Sequence, residues 1–360
     1  YEGTYTLQAP TKPTTENLVG TGDSMVFYPI NRCYEHCMEE TCCINERYQK
    51  AIRDWNNSPN RLPMVIGEYY NVSKYEDLPL LFTSSMLKDL PYYQSHGFSG
   101  ITYMHVPMLH WGIRSLTHLI YTELAWNMKK AEKFTDISPY ISDYFNRLYG
   151  DYAKRMEQVY SLVESGSRSI ASWRAWDQKS ILTQLLHWDG GLPQEALDAN
   201  GHFKQGITVC GDEVTAGFNK AILLVEEMIQ EEKRRLARQY AAEIQVAVNP
   251  EEARKLTPND VILQRLTEIL RQLLYGRDVF ALTNEVCRYH DSLLQKNEVE
   301  ETVSWHKIGE LEKRLESYYM PITGYNITSI LVNDAMLRSQ LRPVLLRCRN
   351  QRRLAGKAVD

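Results

Sequence analysis

Residues 86–127, MLKDLPYYQSHGFSGITYMHVPMLHWGIRSLTHLIYTELAWN, predict a helix, a short buried strand, an aromatic-rich loop and a second helix. The first helix ends near Gly97. The run from Phe98 to Met104 then combines β-branched and aromatic residues, which is typical of one buried strand. Folds of the α/β class place their chemistry in the loops at the carboxyl ends of parallel strands. We therefore expect functional residues in the loop of residues 105–111.

Two similar strands precede this stretch. The apolar runs of residues 24–30 and 62–68 predict them, and strand starts near 24, 62 and 98 give repeats of about 36 to 38 residues. This spacing is typical of βαβ units. A (β/α)8 barrel needs about 250 residues, so three units form either a small open sheet or part of a barrel. We expect residues 1–127 to be the C-terminal part of a TIM-type (β/α)8 barrel whose front precedes Tyr1.

The rest of the chain has a different pattern. From Lys129 onward strand signals nearly vanish, and residues 138–163 and 213–246 carry apolar residues at helical spacing. We expect residues 128–360 to form a helical domain. An exposed apolar stripe on residues 213–246 would favour a homodimer through this domain.

Charge and hydropathy exclude some partners. The formal net charge is −4 and the pI is about 6.2, so no nucleic-acid surface is expected. No stretch approaches 18 uninterrupted apolar residues, so no membrane span is expected. The chain starts at Tyr1 with no visible signal peptide, which leaves cytoplasmic and secreted locations open.

Three groups of polar and aromatic residues follow the three predicted strands, and parallel strands would bring them to one crevice. Glycoside hydrolysis uses two carboxylates, or one carboxylate together with an acetamido group of the substrate. Glu68 follows an apolar strand directly and is the best candidate for a catalytic carboxylate, with Glu35 weaker. A salt-bridge partner is the alternative role for Glu68. The candidate substrate-binding residues are Arg32, His36, Tyr69, Tyr103, His105 and Trp111.

No cofactor or metal is expected. The chain has no dinucleotide-binding, phosphate-loop, HExxH or GxSxG motif. Cys33, Cys37, Cys42 and Cys43 lie close together around His36, which raises the question of a metal site. Their spacing matches no CxxC pair or recognised zinc finger. Buried thiols are therefore preferred over a disulfide from Cys33 to Cys42 or Cys43, and over zinc.

Several motifs in order carry a resemblance over residues 20–165: FYPINRCYEH, TCCIN, EYY, YYQSHGFSGITYMH and YFNRLYGDYAKRM. They resemble a bacterial domain-of-unknown-function family related to glycoside hydrolases, with a barrel followed by a helical domain. The clan of that family includes α-glucuronidases, and some of its relatives are endo-β-N-acetylglucosaminidases that act on N-glycans by substrate assistance. The resemblance implies a carbohydrate-facing crevice near Arg32, His36, Glu68, Tyr69, His105 and Trp111. It also implies an acidic catalytic motif ahead of Tyr1, and Glu68-Tyr69 stands where many relatives carry Asp-Tyr.

These observations predict a glycoside-hydrolase-like protein that hydrolyses or binds a glycan. In this interpretation Glu68 is a catalytic or sugar-binding carboxylate, and Trp111 and Tyr69 offer faces for stacking on a sugar. Arg32, His36 and His105 bind hydroxyl or carboxylate groups. The alternative is a non-catalytic carbohydrate-binding or scaffolding protein.

Overall fold

A small parallel sheet lies in the N-terminal third of the chain. The strands are β1 (Met25–Phe27), β2 (Met64–Glu68) and β3 (Phe98–Tyr103), in the order β1-β2-β3. All three lie within the predicted runs. The computed structural model describes residues 22, 24–29, 32–34, 36–42, 45–59, 61–68, 70, 78–103, 111–126, 134–171, 205–246, 260–317 and 341–359.

The prediction of a partial (β/α)8 barrel is wrong. Within the described ranges the sheet has three strands, and helices make up most of the remaining structure. The small open sheet, the other outcome compatible with three strands, agrees with this topology. The strand spacing identified βαβ units correctly. It carried no information on how many strands pair, since an open sheet and a barrel use the same unit.

β2 is the central strand and is buried along most of its length. Met64 and Ile66 are fully buried, as expected for a continuous apolar run between two parallel neighbours. Gly67 is required by a close approach, because a Cβ there would lie 2.0 Å from Cε1 of Tyr28. The Tyr28 ring therefore lies directly over the strand one residue before Glu68.

Helices dominate the described chain. Three accompany the sheet: α1 (Asn45–Asn56), α2 (Thr83–Ser95) and α3 (Trp111–Trp126). The C-terminal helices are α4 (Phe134–Tyr149), α5 (Ala153–Ala171), α6 (Gln205–Val246), α7 (Val261–Gln295), α8 (Glu298–Ser317) and α9 (Arg342–Leu354). Asp260 begins α7 as its N-cap, because its carboxylate accepts hydrogen bonds from the backbone N–H of Ile262 and Leu263.

The long helices form a bundle in which α6 packs between α5 and α7, and α7 also packs against α8. The predicted apolar stripe of α6 is buried there, with Val214, Phe218 and Val225 fully inaccessible. The exposed stripe that would favour a homodimer is therefore not found over the described side chains of residues 212–242. A homodimer stays a prediction. No helix in the described ranges is long and apolar enough to cross a membrane.

The sheet and the bundle share one continuous hydrophobic core. Glu164 of α5 accepts hydrogen bonds from the Thr83 hydroxyl at 2.5 Å and from the Ser84 backbone N–H at 2.6 Å, at the start of α2. Gln272 of α7 accepts a hydrogen bond from the backbone N–H of Ile113 at 3.2 Å. The predicted boundary between residues 127 and 128 lies outside the described residues and stays a prediction.

Candidate functional site

A buried cluster of three charged residues lies at the carboxyl end of β2. Glu68 ends this strand, Arg32 follows β1, and Asp89 lies on α2; all three are fully inaccessible to solvent. Arg32 Nε lies 3.1 Å from Glu68 Oε1, and Arg32 Nη2 donates to Asp89 Oδ2. One guanidinium therefore joins two carboxylates from different elements. We call these residues the Arg32 cluster.

Tyrosine hydroxyls and one backbone N–H supply further hydrogen bonds to both carboxylates. Glu68 accepts from Tyr34 at 2.8 Å through Oε2 and from Tyr93 through Oε1. Asp89 accepts from Tyr70 at 3.0 Å through Oδ2 and from the backbone N–H of Met38 at 2.6 Å through Oδ1. Every carboxylate oxygen thus accepts at least one hydrogen bond, which is the condition for tolerating buried charge.

The Arg32 side chain is also stacked. Its Cζ lies 4.1 Å from the centroid of the Tyr34 ring and 5.5 Å from that of Tyr70. Aromatic faces attract a guanidinium electrostatically, most strongly where water is excluded. The two rings and the two carboxylates together surround the guanidinium and hold the Arg32 side chain in place.

Burial sets the protonation behaviour of the cluster. It raises the pKa of Asp89 to about 6; Arg32 opposes this shift and the Glu68 charge adds to it. Burial and the Glu68 charge likewise raise the pKa of Tyr34 and of Tyr93 well above the usual value. For Tyr70 burial acts together with the Asp89 charge to raise the pKa. The three phenols are therefore neutral hydrogen-bond donors at physiological pH.

Among the predicted site residues whose side chains the structure describes, it brings the side chains of Arg32 and Glu68 into direct contact. His36 is half-buried, and its backbone carbonyl accepts from Arg32 Nη1 at 3.4 Å. Tyr103 ends β3, where it pairs in register with Glu68, and Trp111 begins α3; the structure describes only the backbone of these two residues.

The other predicted residues lie outside the described part of the chain. These are Tyr69, His105 and the weaker candidate Glu35. The structure therefore gives no position for the carboxylate of Glu35 or for the two proposed sugar contacts, and their roles stay predictions.

Asp89 and Tyr93, which lie one turn apart on α2, are not among the residues predicted from the sequence. A signal was present, because Asp89 falls among the apolar residues Met86 and Leu90 on the buried face of that helix. A carboxylate on the buried face of an amphipathic helix must find a partner there. What the pattern does not reveal is that the partner is Arg32, 57 residues away.

The geometry limits what Glu68 can do chemically. A general acid or nucleophile must come within about 3 Å of the reacting atom, whereas both Glu68 oxygens already contact tyrosine hydroxyls and one contacts Arg32. A substrate would have to displace Tyr34 or Tyr93 to reach them. As described, Glu68 positions neighbouring elements, and a catalytic role requires the cluster to open.

Comparison with known proteins adds no assignment. The chain matches no protein-family model, no curated protein and no solved structure at a significant level. The functional interpretation therefore depends on the geometry of the site and on the sequence motifs.

Proposed function

We propose that this chain binds a glycan at the carboxyl edge of its three-stranded sheet. The observation that carries the proposal is the Arg32 cluster. Its ion pairs join β2, α2 and the segment after β1 at that edge of the sheet. The resemblance to glycoside-hydrolase-like proteins supplies the chemical class of the ligand. Tyrosine and tryptophan near the strand ends are suited to sugars, since a flat apolar face can cover the C–H groups of a pyranose ring.

The energetics of the cluster support a role beyond packing. Desolvating three charged groups costs several kcal/mol per ion, and apolar side chains of similar volume would often be at least as stable. Buried charges that fix loop geometry are typical of ligand sites, because recognition needs its contacts held within a fraction of an ångström. The Arg32 cluster lies where β2, α2 and the segment after β1 meet.

In this proposal the residues divide into three roles. Arg32 and Glu68 are positioning residues, because their polar groups are occupied by each other and by Asp89 and tyrosines. Tyr69 and Trp111 provide the stacking faces. Tyr103 and His105 bind hydroxyl or carboxylate groups of the sugar, as their places at the end of β3 and just after it suggest.

Hydrolysis of the glycan is the second candidate, and one observation favours it. Glu68 and Asp89 contact the same guanidinium, and the pKa of Asp89 is raised to about 6. Glycosidases pair a protonated acid with an ionised carboxylate, and a raised pKa is how such an acid stays protonated near neutral pH. This candidate requires Tyr34 or Tyr93 to move away when substrate binds.

The experiment measures binding of the whole chain to an array of oligosaccharides, followed by titration calorimetry with the best ligand. We expect Trp111→Ala and Tyr69→Ala to weaken binding by more than about tenfold, since each removes roughly 1.4 kcal/mol or more of stacking. Tyr140→Ala is the matched control, because Tyr140 is exposed on α4. The proposal fails if the parent chain binds no glycan, or if both variants bind like the parent.

Product analysis with the same ligand separates the two candidates. Glycan binding alone predicts intact ligand after prolonged incubation with the parent chain. Hydrolysis predicts released sugar, and Glu68→Gln would then lower kcat by about 10²–10⁴-fold while the ligand still binds. Thermal melting of Glu68→Gln distinguishes a lost reaction from a lost fold.

A further inference from the structure

Two cysteines and a histidine converge between β1 and α1. One potential ligand atom from each of Cys33, His36 and Cys42 lies within 4.8 Å of the other two. Cys33 Sγ lies 3.4 Å from His36 Nδ1. Cys33 is buried, and the other two side chains are half-buried, so the group lies just beneath the surface.

These separations fit tetrahedral coordination. Zinc binds sulfur at about 2.3 Å and imidazole nitrogen at about 2.0–2.1 Å, so two ligand atoms at the tetrahedral angle lie about 3.5 Å apart for S and N. Two thiolates lie about 3.8 Å apart on the same basis. The observed Cys33–His36 approach is close to the first value, and all three atoms lie within a span that small side-chain rotations can adjust.

The backbone that carries these side chains is fixed by buried polar groups. The Asn45 side chain accepts a hydrogen bond from the Cys33 backbone N–H at 2.8 Å. It donates to the carbonyls of Cys33 at 3.1 Å and His36 at 3.3 Å. Arg32 Nη1 donates to the same two carbonyls at 3.4 Å each. The ligand geometry is therefore organised by the protein before any ion binds.

The far end of this segment is held from α1. The Gln49 side chain donates to the carbonyls of Met38 at 2.6 Å and Glu40 at 3.3 Å. Asn45 and Gln49 are one helical turn apart, so α1 organises the loop along most of its length. Preorganisation of this kind lowers the entropy cost of collecting three ligands around one ion.

We propose that Cys33, His36 and Cys42 bind one Zn²⁺ ion, with a fourth coordination position left for water or another donor. Two thiolates and an imidazole suit zinc, whereas calcium and magnesium prefer oxygen ligands. Three protein ligands with an open position are typical of zinc sites that hold water. The proposal departs from the sequence-based expectation of no metal, which depended on the spacing of the cysteines along the chain and not on their placement in space.

The binding step balances without any redox change. Zinc replaces the protons of the two thiols, so up to two protons are released to solvent, while neutral His36 donates a lone pair. The competing chemistry for the same atoms is oxidation to a Cys33–Cys42 disulfide, which needs an external oxidant. A thiol–imidazole hydrogen bond between Cys33 and His36 is the remaining alternative.

A neighbouring cysteine provides a matched control. Cys37 lies in the same segment and is buried, but it is not part of the three-residue group. Cys37→Ser therefore removes a thiol from the segment without removing a ligand.

The test titrates the reduced, metal-stripped whole chain with Zn²⁺ against a chromophoric chelator, and repeats the titration with Co²⁺. We expect one Zn²⁺ per chain and thiolate-to-cobalt charge-transfer absorption in the near ultraviolet. Removing a direct ligand should weaken binding by at least the roughly 10–100-fold typical of outer-shell partners. We therefore expect this loss for Cys42→Ser and His36→Ala, whereas Cys37→Ser should bind like the parent.

Three results would overturn the proposal. The first is no zinc binding above that of denatured chain. The second is equal zinc affinity in the parent and Cys42→Ser. The third is a Cys33–Cys42 disulfide in peptide mapping together with no zinc uptake after reduction. His36 and Cys42 are half-buried, so their variants are expected to fold, which circular dichroism checks. None of these measurements depends on the glycan.

Discussion

Replacing Arg32 by methionine tests the Arg32 cluster most directly. The variant keeps an unbranched side chain in the site but leaves Glu68 and Asp89 without their common cation, both fully buried. Breaking a buried ion pair by removing one partner costs about 3–5 kcal/mol, because the remaining charge is uncompensated. We expect the free energy of unfolding at pH 7 to fall by that amount.

The stability deficit of Arg32→Met should also change with pH in a predictable direction. Without Arg32, which opposes the shift, burial and the Glu68 charge raise the pKa of Asp89 still further above its unfolded value. A carboxyl group whose pKa is higher in the folded than in the unfolded chain favours folding below the unfolded pKa. This contribution to stability is lost as the pH rises through the folded pKa. The deficit of Arg32→Met should therefore shrink as the pH is lowered from 8 toward 5.

Urea unfolding monitored by circular dichroism measures both effects. Arg147→Met is the control, because Arg147 pairs with Asp143 on the surface of α4 and should leave the urea midpoint unchanged. Adding Asp89→Asn to Arg32→Met should restore part of the lost stability by neutralising one orphaned charge. A deficit below about 1 kcal/mol at pH 7, or one that is constant with pH, would refute the reasoning.

Three further predictions concern single sites. Asp89→Asn should make the free energy of unfolding less dependent on pH. In the parent chain the pKa of Asp89 rises from 3.8 to about 6 on folding. The parent therefore loses up to about 3 kcal/mol of stability as the pH rises from 4 to 6. The difference between parent and variant midpoints across this range measures the effect, and parallel curves would contradict it. Gly276→Ala should destabilise by about 1–3 kcal/mol, because the new Cβ would lie 2.8 Å from Pro79 Cγ and 3.0 Å from Phe218 Cε1. Gly309→Ala on α8, where nothing lies within 4 Å, should instead stabilise by up to about 1 kcal/mol; thermal melting compares the two, and equal shifts would contradict the packing argument.

Local sequence patterns predicted local structure well. The three strands lie within their predicted runs, and the helices predicted on either side of β3 are present as α2 (Thr83–Ser95) and α3 (Trp111–Trp126). The spacing of apolar residues predicts such strands and helices because it indicates which of their faces is buried.

Long-range partnerships were not accessible from the pattern. Glu68 was identified from its position after an apolar run, yet its contacts come from Arg32, Tyr34 and Tyr93 on other elements. Alternation of polar and apolar residues says that a carboxylate at such a position needs a partner, but not which one. The same limit explains the barrel error, because strand count in a sheet depends on pairing between distant segments.

The Arg32 cluster and the proposed zinc site are physically connected. The guanidinium of Arg32 contacts Asp89 on one side and the carbonyls of Cys33 and His36 on the other. Asp89 in turn accepts from the Met38 backbone N–H, so the same segment is held at both ends by one ion pair. An ion that binds only the folded segment stabilises everything that must be folded with it. Zinc at Cys33, His36 and Cys42 would therefore stabilise the carboxyl edge of the sheet, which is the surface proposed to bind the glycan.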